Sequence, residues 1–290
     1  MPTKIEKDAL TGIDTTGHEW DGIKELNNPL PKWWLYVLYA TIAFAAVWVV
    51  LYPAFPFQGA TGVTGWVARE AVRGDVAAAE ARMAPMMSRI REATPQQIAA
   101  DPELRAFAVA GGRIAFANNC AGCHGAGGQG APGGFPSLAD DDWLWGGTHD
   151  AIRQTIAHGI RNTEDDEART SIMPRFVADG VLTNAQANDV AEHVLALGGR
   201  STNAAAAARG AALYAENCVA CHGETGEGNR DVGAPRLSDR VWLNGADKAA
   251  IARFIANPRM GVMPAWAGRL DAATVNMLAV YVHALGGGEN

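Results

Sequence analysis

The sequence predicts a mainly α chain, with one amino-terminal transmembrane helix followed by two tandem copies of a small helical domain. Three observations carry this. Residues 33–52 contain no charged side chain. The stretch 112–199 reappears, with one gap, at 210–287. The segments that close each copy, 184–197 and 272–285, carry apolar residues at three- and four-residue spacing, the helical period. Across 290 residues, 24 Lys and Arg face 31 Asp and Glu, a formal charge of -7. With no basic patch and no glycine-rich nucleotide fingerprint, nucleic acid is not an expected partner.

The elements follow in order. Residues 1–32 form a polar segment. At about 1.5 Å per residue, the 20 residues of 33–52 reach about 30 Å, the hydrocarbon thickness of a bilayer. Trp33, Trp34 and Tyr52 stand at the ends, where aromatic rings settle among headgroups, and Pro53 and Pro56 are expected to stop the helix. A cleaved signal peptide fits less well, because the apolar run is long, a 32-residue segment precedes it and no Ala-x-Ala site follows. Lys4, Lys7, Lys24 and Lys32 precede the span and only Arg69 and Arg73 follow closely, which orients the amino terminus to the cytoplasm. Residues 53–106 read as a linker with helical pieces, Thr94-Pro95 and Asp101-Pro102 resembling helix caps followed by proline at the first helical position. Met83, Met86 and Met87 sit at helical spacing without His or Cys, which suits packing better than copper binding.

The copies are assigned to 107–200 and 201–290. Each opens with Gly-x-x-x-aromatic, Gly112 to Phe116 and Gly210 to Tyr214. Pro136-Ser-Leu matches Pro235-Arg-Leu, and Trp143 and Trp242 lie 99 positions apart. Met173-Pro174 and Met263-Pro264 are displaced by 90, and the closing Leu-Gly-Gly at Leu197 and Leu285 by 88. The first copy therefore carries a nine-residue insertion between tryptophan and methionine, expected in the acidic loop around 163–168.

All four cysteines fall in two Cys-x-x-Cys-His motifs, Cys120 to His124 and Cys218 to His222. That spacing is the signature for covalent attachment of c-type haem. Two thiols on one turn can form thioethers to the two vinyl groups, and the adjacent imidazole lies where it can ligate iron. A redox dithiol would need a βαβ context, which neither motif has. A zinc site pairing Cys120 and Cys123 with Cys218 and Cys221 would cut across two copies read as independent folding units. Two haems are the expectation. A copy of 80–90 residues is small for a self-sufficient core, and an apolar macrocycle would complete it.

These features resemble, twice over, the class I cytochrome c fold: a leading Gly-x-x-x-aromatic helix, Cys-x-x-Cys-His, a distal Met-Pro and a closing amphipathic helix. In that family the first and last helices cross at a small residue and the methionine sulfur is the second axial ligand. The resemblance implies His124 with Met173 on haem one, and His222 with Met263 on haem two. Met260 is a further candidate in the second copy, but only Met263 precedes a proline as Met173 does. It also implies that the Pro136 and Pro235 carbonyls accept from the imidazole Nδ1–H, and that Trp143 and Trp242 donate to a haem propionate. His149, His158 and His193 have no histidine counterpart in the second copy and are read as solvated or hydrogen-bonded structural residues. No role is assigned to His283.

The segment from Thr16 to Trp34, then one span, then two such units, is similar to the dihaem subunit III (CcoP/FixP type) of cbb3-type cytochrome c oxidases. The resemblance covers essentially the whole chain. It implies a subunit of a bacterial inner-membrane, proton-pumping haem-copper oxidase, with both haem units periplasmic, which agrees with the charge asymmetry. Electrons would pass from donor cytochromes c through this chain and a monohaem cytochrome c subunit to the catalytic subunit that reduces oxygen. His18, Trp20 and Asp21 are expected to hold the cytoplasmic segment against a partner. The alternatives are a stand-alone membrane-tethered dihaem carrier and a dihaem peroxidase.

Overall fold

The computed structural model describes residues 4–52 and 62–289, so Pro53 and Pro56 lie outside the described residues. The chain forms two compact units, Met1–Arg82 and Met83–Asn290.

The first unit opens with an element the sequence reading did not anticipate. Strands β1 (Thr15–Trp20) and β2 (Ile23–Leu26) pair antiparallel, with Trp20 opposite Ile23 and Glu19 opposite Lys24. The two-residue turn is Asp21-Gly22, both at positive φ (49° and 83°). Those angles match a type I′ turn, which follows strand twist and selects Asp-Gly. Asp21 is thus a turn residue. Thr15 is buried and its Oγ1 accepts from the Glu6 amide at 3.0 Å, while Lys24 pairs with Glu6 at 2.6 Å. Trp20 remains 62% exposed with the His18 ring stacked beside it. Helix α1 (Lys32–Leu51) has a mean hydropathy of 2.1 and no buried residue, so all its apolar side chains face outward. At 20 residues it is long and apolar enough to cross a bilayer.

The linker is more helical than expected, with α2 (Ala68–Glu92) and α3 (Pro95–Ala100). Pro85 lies inside α2, where it removes one helical hydrogen bond, close to the boundary between the two units. Thr94 and Gln97 form a reciprocal capping box ahead of Pro95. Asp101 caps α4 (Pro102–Asn119), accepting from Glu103 N at 2.9 Å and Leu104 N at 3.1 Å. The first copy continues through α5 (Ala121–His124), α6 (His149–His158) and α7 (Asn184–Leu197). The second holds α8 (Ala204–Asn217), α9 (Val219–His222), α10 (Lys248–Ala256) and α11 (Ala272–His283).

Packing does not follow the repeat. Helix α7, which closes the first copy in sequence, packs on α8 and α10 of the second. Helix α11, which closes the second, packs on α4 and α6 of the first. The two closing helices are exchanged, and the copies are not independent folding units. Glycines mark both crossings. A Cβ on Gly112 of α4 would stand 2.5 Å from the Met277 carbonyl oxygen of α11, and one on Gly210 of α8 would strike the Asp189 carbonyl of α7.

The connection explains the choice. Only residues 198–203 separate the end of α7 from the start of α8, so the pair closes as an antiparallel helical hairpin at small entropic cost. That leaves α4 without a partner, and α11 fills the place.

The insertion in the first copy is closed at its base, Arg161 N donating to Arg169 O at 2.7 Å and Arg169 N to Gly159 O at 3.1 Å. His158 pins it, Nδ1 to Asp165 at 3.1 Å and Nε2 to Glu167 at 3.2 Å.

Two outcomes are expected. Gly210→Val should lower stability by about 1–3 kcal/mol through overpacking at the α7–α8 crossing, read as a fall in the denaturant midpoint. Fragments 83–200 and 201–290 should each fail to give a cooperative melt alone and should co-purify as one species when co-expressed; two independently melting fragments would refute the exchange.

Candidate haem sites

In each copy the leading helix runs into the motif and delivers both thiols on one turn. Cys120 caps the end of α4 and α5 carries Cys123 and His124; Cys218 caps α8 and α9 carries Cys221 and His222. Gly125 and Gly223, both at φ 78°, then turn the chain away, a conformation a side chain at either position would strain.

His124 Nδ1 donates to the Pro136 carbonyl and His222 Nδ1 to the Pro235 carbonyl, each at 3.0 Å. That bond fixes the ring and leaves the Nε2 lone pair free for a metal. Burial lowers the His222 pKa, although the Pro235 bond opposes it, a direction that favours the neutral form metal binding uses. Burial, with the neighbouring thiol adding to it, pushes Cys120 and Cys218 up to about 11.

The exchange reaches the methionines and sets each in a cluster with the other copy's motif, not with the motif of its own copy as expected. Met263 packs in the cluster of Phe116, Ile152, Ile156, Leu278 and Val282, together with Cys120 and Trp143. Met173 packs in the cluster of Val190, Val194, Tyr214 and Ile251, together with Cys218 and Trp242. Each methionine therefore sits with the other copy's Cys-x-x-Cys-His. The Met263 segment is bound to the first copy: its amide donates to Ile160 O and its carbonyl accepts from Ile160 N, both at 3.0 Å. Trp266 N donates to Ala157 O at 2.9 Å. Met260 belongs elsewhere, its sulfur accepting from the Met173 amide at 3.5 Å. The repeat equates the two methionines and says nothing of which copy each enters.

Trp143 Nε1 donates to the Gly287 carbonyl at 2.5 Å and Trp242 Nε1 to the Asp239 carbonyl at 3.2 Å. The other histidines are structural. His149 stacks on His283 with ring centroids 3.6 Å apart, and His193 tilts against Tyr214 at 5.0 Å. Burial lowers the pKa of both His149 and His193. Among the described residues no three His, Cys, Asp or Glu side chains converge as a metal-binding group, and Cys120 and Cys218 pack in separate clusters while Cys123 and Cys221 are exposed.

A cavity of about 550 Å³ opens between the copies, lined by Asp142, Trp143 and Leu144 from the first and by Asn229, Arg230, Pro235 and Asp239 from the second. Glu289 straddles the same seam, accepting from Gly147 N at 2.7 Å and pairing with Arg230 at 2.5 Å.

The donor set fits haem c: thiols paired on one turn, an imidazole oriented through its far nitrogen, and a thioether in the same apolar cluster. Comparison with known proteins agrees. Residues 12–58 match the N-terminal domain of cytochrome oxidase-cbb3, FixP; residues 108–198 match cytochrome c; residues 205–282 match cytochrome c oxidase, cbb3-type, subunit III. The Cbb3-type cytochrome c oxidase subunit CcoP of Azospirillum brasilense is 52% identical, over 98% of this chain and 99% of its own. The chain belongs to the CcoP/FixP family. The CcoP of Cereibacter sphaeroides is 49% identical over the full length of both chains, and the FixP of Azorhizobium caulinodans 48% identical over 97% of this chain and 96% of its own. A mainly helical chain with one candidate amino-terminal span and two cytochrome c domains is thus the architecture of this CcoP/FixP member.

Burial, followed by repulsion from Asp239, pushes the half-buried Asp142 up to about 6. The folded state then binds a proton that the unfolded chain has released, so between about pH 4 and pH 6 stability falls as pH rises. Asp142→Asn should remove that slope and add on the order of 1 kcal/mol at pH 7, after discounting for solvent screening. Urea melts at pH 4 and pH 7 check it, an unchanged slope counting against the assignment.

Proposed function

We propose that this chain is the dihaem electron-relay subunit of a cbb3-type cytochrome c oxidase. The observation that carries the reading is that each Cys-x-x-Cys-His motif shares an apolar cluster with one methionine of the opposite copy. Cys120 and Cys123 would hold haem one by thioethers, and His124 and Met263 would ligate its iron. Cys218 and Cys221 would hold haem two, with His222 and Met173. Each haem supplies a one-electron ferric/ferrous couple.

The residues on this chain do the rest. Pro136 and Pro235 orient the ligand imidazoles, and the two axial side chains close the iron to substrate, which suits electron transfer rather than oxygen or peroxide chemistry. Methionine sulfur favours the reduced state over a second imidazole and raises the potential. Ile152, Ile156 and Leu278 at one site, with Val194, Ile251 and Ile255 at the other, exclude water and limit reorganisation.

Electrons enter from donor cytochromes c and leave through a monohaem cytochrome c subunit towards the catalytic haem-copper subunit, where oxygen is reduced and protons are pumped. Helix α1 anchors the chain in the bacterial inner membrane with residues 1–32 in the cytoplasm and both haem sites in the periplasm. The exposed His18 and Trp20 on β1 contact another subunit there.

Purification through this chain should bring haem b and copper with it, whereas isolation of the chain alone would refute stable membership of an oxidase. Pyridine haemochrome spectra should show two c-type haems, and ferric spectra the near-infrared band of methionine ligation. Met263→His should lower one potential by on the order of 0.1 V, a fraction of the about 0.8 V that axial ligands command. The haem that moves should be the one lost in Cys120→Ala/Cys123→Ala; if it is the one lost in Cys218→Ala/Cys221→Ala, the exchanged pairing is wrong.

A further inference from the structure

Three buried side-chain nitrogens find no hydrogen-bond partner among the described residues, and all belong to two arginines: Arg169 Nε, Arg200 Nε and Arg200 Nη2. A buried donor left unpaired costs about 1–3 kcal/mol, more when charged, so such groups stand opposite an acceptor that is not part of the folded chain. Neither arginine has a carboxylate within ion-pair distance among the described residues.

Their positions name the acceptor. Arg200 follows α7 and lies over the Trp242 ring, 4.9 Å from its centroid, with Nη1 donating to Ala246 O at 3.1 Å. Trp242 belongs to the cluster of Cys218 and Met173. The unpaired Nε and Nη2 form the one edge of a guanidinium that meets both oxygens of a carboxylate side by side. Arg169 lies over Trp145 at 5.2 Å and is tied to α6, Nη2 reaching Ala151 O at 3.3 Å and Gln154 Oε1 at 3.2 Å. Helix α6 belongs to the cluster of Cys120 and Met263. One arginine with unmet hydrogen bonds therefore stands at each motif, and the group bound at each motif carries two carboxylates.

We infer that Arg200 binds a propionate of the haem at Cys218 and Cys221 side-on through Nε and Nη2, and that Arg169 gives a single bond to a propionate of the haem at Cys120 and Cys123. The inference rests on the haem reading above. It also makes the two sites unequal. The position 88 residues beyond Arg200 is Gly288, so the second copy's tail brings no guanidinium to haem one. That site draws its arginine from the edge of the insertion loop instead. A guanidinium beside the propionates opposes the extra positive charge of ferric iron, so each arginine raises the potential of its own haem, Arg200 more.

The test is a redox titration of the purified complex with Arg200→Gln, Arg200→Lys and Arg169→Gln. Arg200→Gln should shift one of the two Nernst components towards ferric by about tenfold, which is 59 mV for one electron. Arg169→Gln should shift the other component by less, and Arg200→Lys should restore part of the loss because it keeps charge but not the fork. The propionate bending mode in resonance Raman should move in step with each component. A merely structural arginine would lower the melting temperature and leave potentials and the bending mode alone; that result, with both haems retained, overturns the inference and indicates buried water as the acceptor. If Arg200→Gln loses haem, the Lys variant decides: wild-type potentials with an unmoved bending mode overturn the assignment. If pyridine haemochrome finds no covalent haem in the wild type, the haem reading fails and the arginine assignment falls with it.

Discussion

Two helix crossings, α4 over α11 at Gly112 and α8 over α7 at Gly210, hold the second unit together, and each joins one copy of the repeat to the other. Everything at the candidate sites follows from them. A leading helix ends in its cysteine motif, so fixing that helix fixes the thiols and the imidazole. A closing helix is preceded by its methionine loop, so sending α11 to the first copy carries Met263 along and sending α7 to the second carries Met173. The exchange of methionines needs no device of its own. It is the price of joining α7 and α8 by residues 198–203.

The hairpin accounts for α7, but the assembly also needs α11 to prefer α4 over a second molecule's α8. Two buried polar residues distinguish the closing helices. Asn276 of α11, 3% exposed, donates through Nδ2 to the carbonyls of Ile90 at 3.0 Å and Ala93 at 3.2 Å, and accepts from Arg153 Nε at 2.8 Å. Those acceptors end α2 and exist only ahead of the first copy. The corresponding residue of α7, Asn188, merely bonds back to Asn184 on its own helix. In α7 the distinguishing residue is Glu192, 2% exposed, which accepts from Ser201 Oγ at 2.9 Å and pairs with Lys248 at the start of α10 at 3.1 Å. The Ser201 and Lys248 bonds lower its pKa against the effect of burial. Its counterpart on α11 is the apolar Val280. Placed on the wrong partner, each helix would bury a polar group without its mate, a loss of several kcal/mol by the usual cost of breaking such sets.

This is where the sequence was legible and where it was not. Local chemistry could be read directly. The caps at Thr94 and Asp101, the uncharged span, the closing helices and the insertion loop each depend on residues within a few positions of one another, and the structure has them all. The Asp21-Gly22 turn was equally local; its signal was present and was passed over because the strands around it are short and polar. The pairing of copies was of another kind. A repeat states that two segments are equivalent, and equivalence is the property that makes own-copy and cross-copy packing indistinguishable. Only the differences between copies break the tie, namely Asn276 against Asn188 and Glu192 against Val280, and their meaning depends on partners as far away as Ile90, 186 residues from Asn276. The orphaned nitrogens of Arg169 and Arg200 were likewise invisible, since burial without a partner is a property of the folded surroundings.

The exchange has a consequence for electron transfer. In two domains joined by a flexible linker the distance between redox centres would fluctuate with every domain motion. Here each site is built from both copies, the first by α4 and α6 with α11 and the second by α8 and α10 with α7, so opening either site breaks a crossing between the copies. The seam residues Trp143, Pro235 and Glu289 lie in the same cooperative structure. The sites are still unequal within that frame. Met263 is tied through both its amide and its carbonyl to Ile160, whereas the Met173 amide meets only the sulfur of Met260 at 3.5 Å, a weak acceptor. The backbone thus restrains the sulfur at the first site more than at the second. On the proposed reading, differences in how each methionine and each arginine is held are what set the two potentials apart.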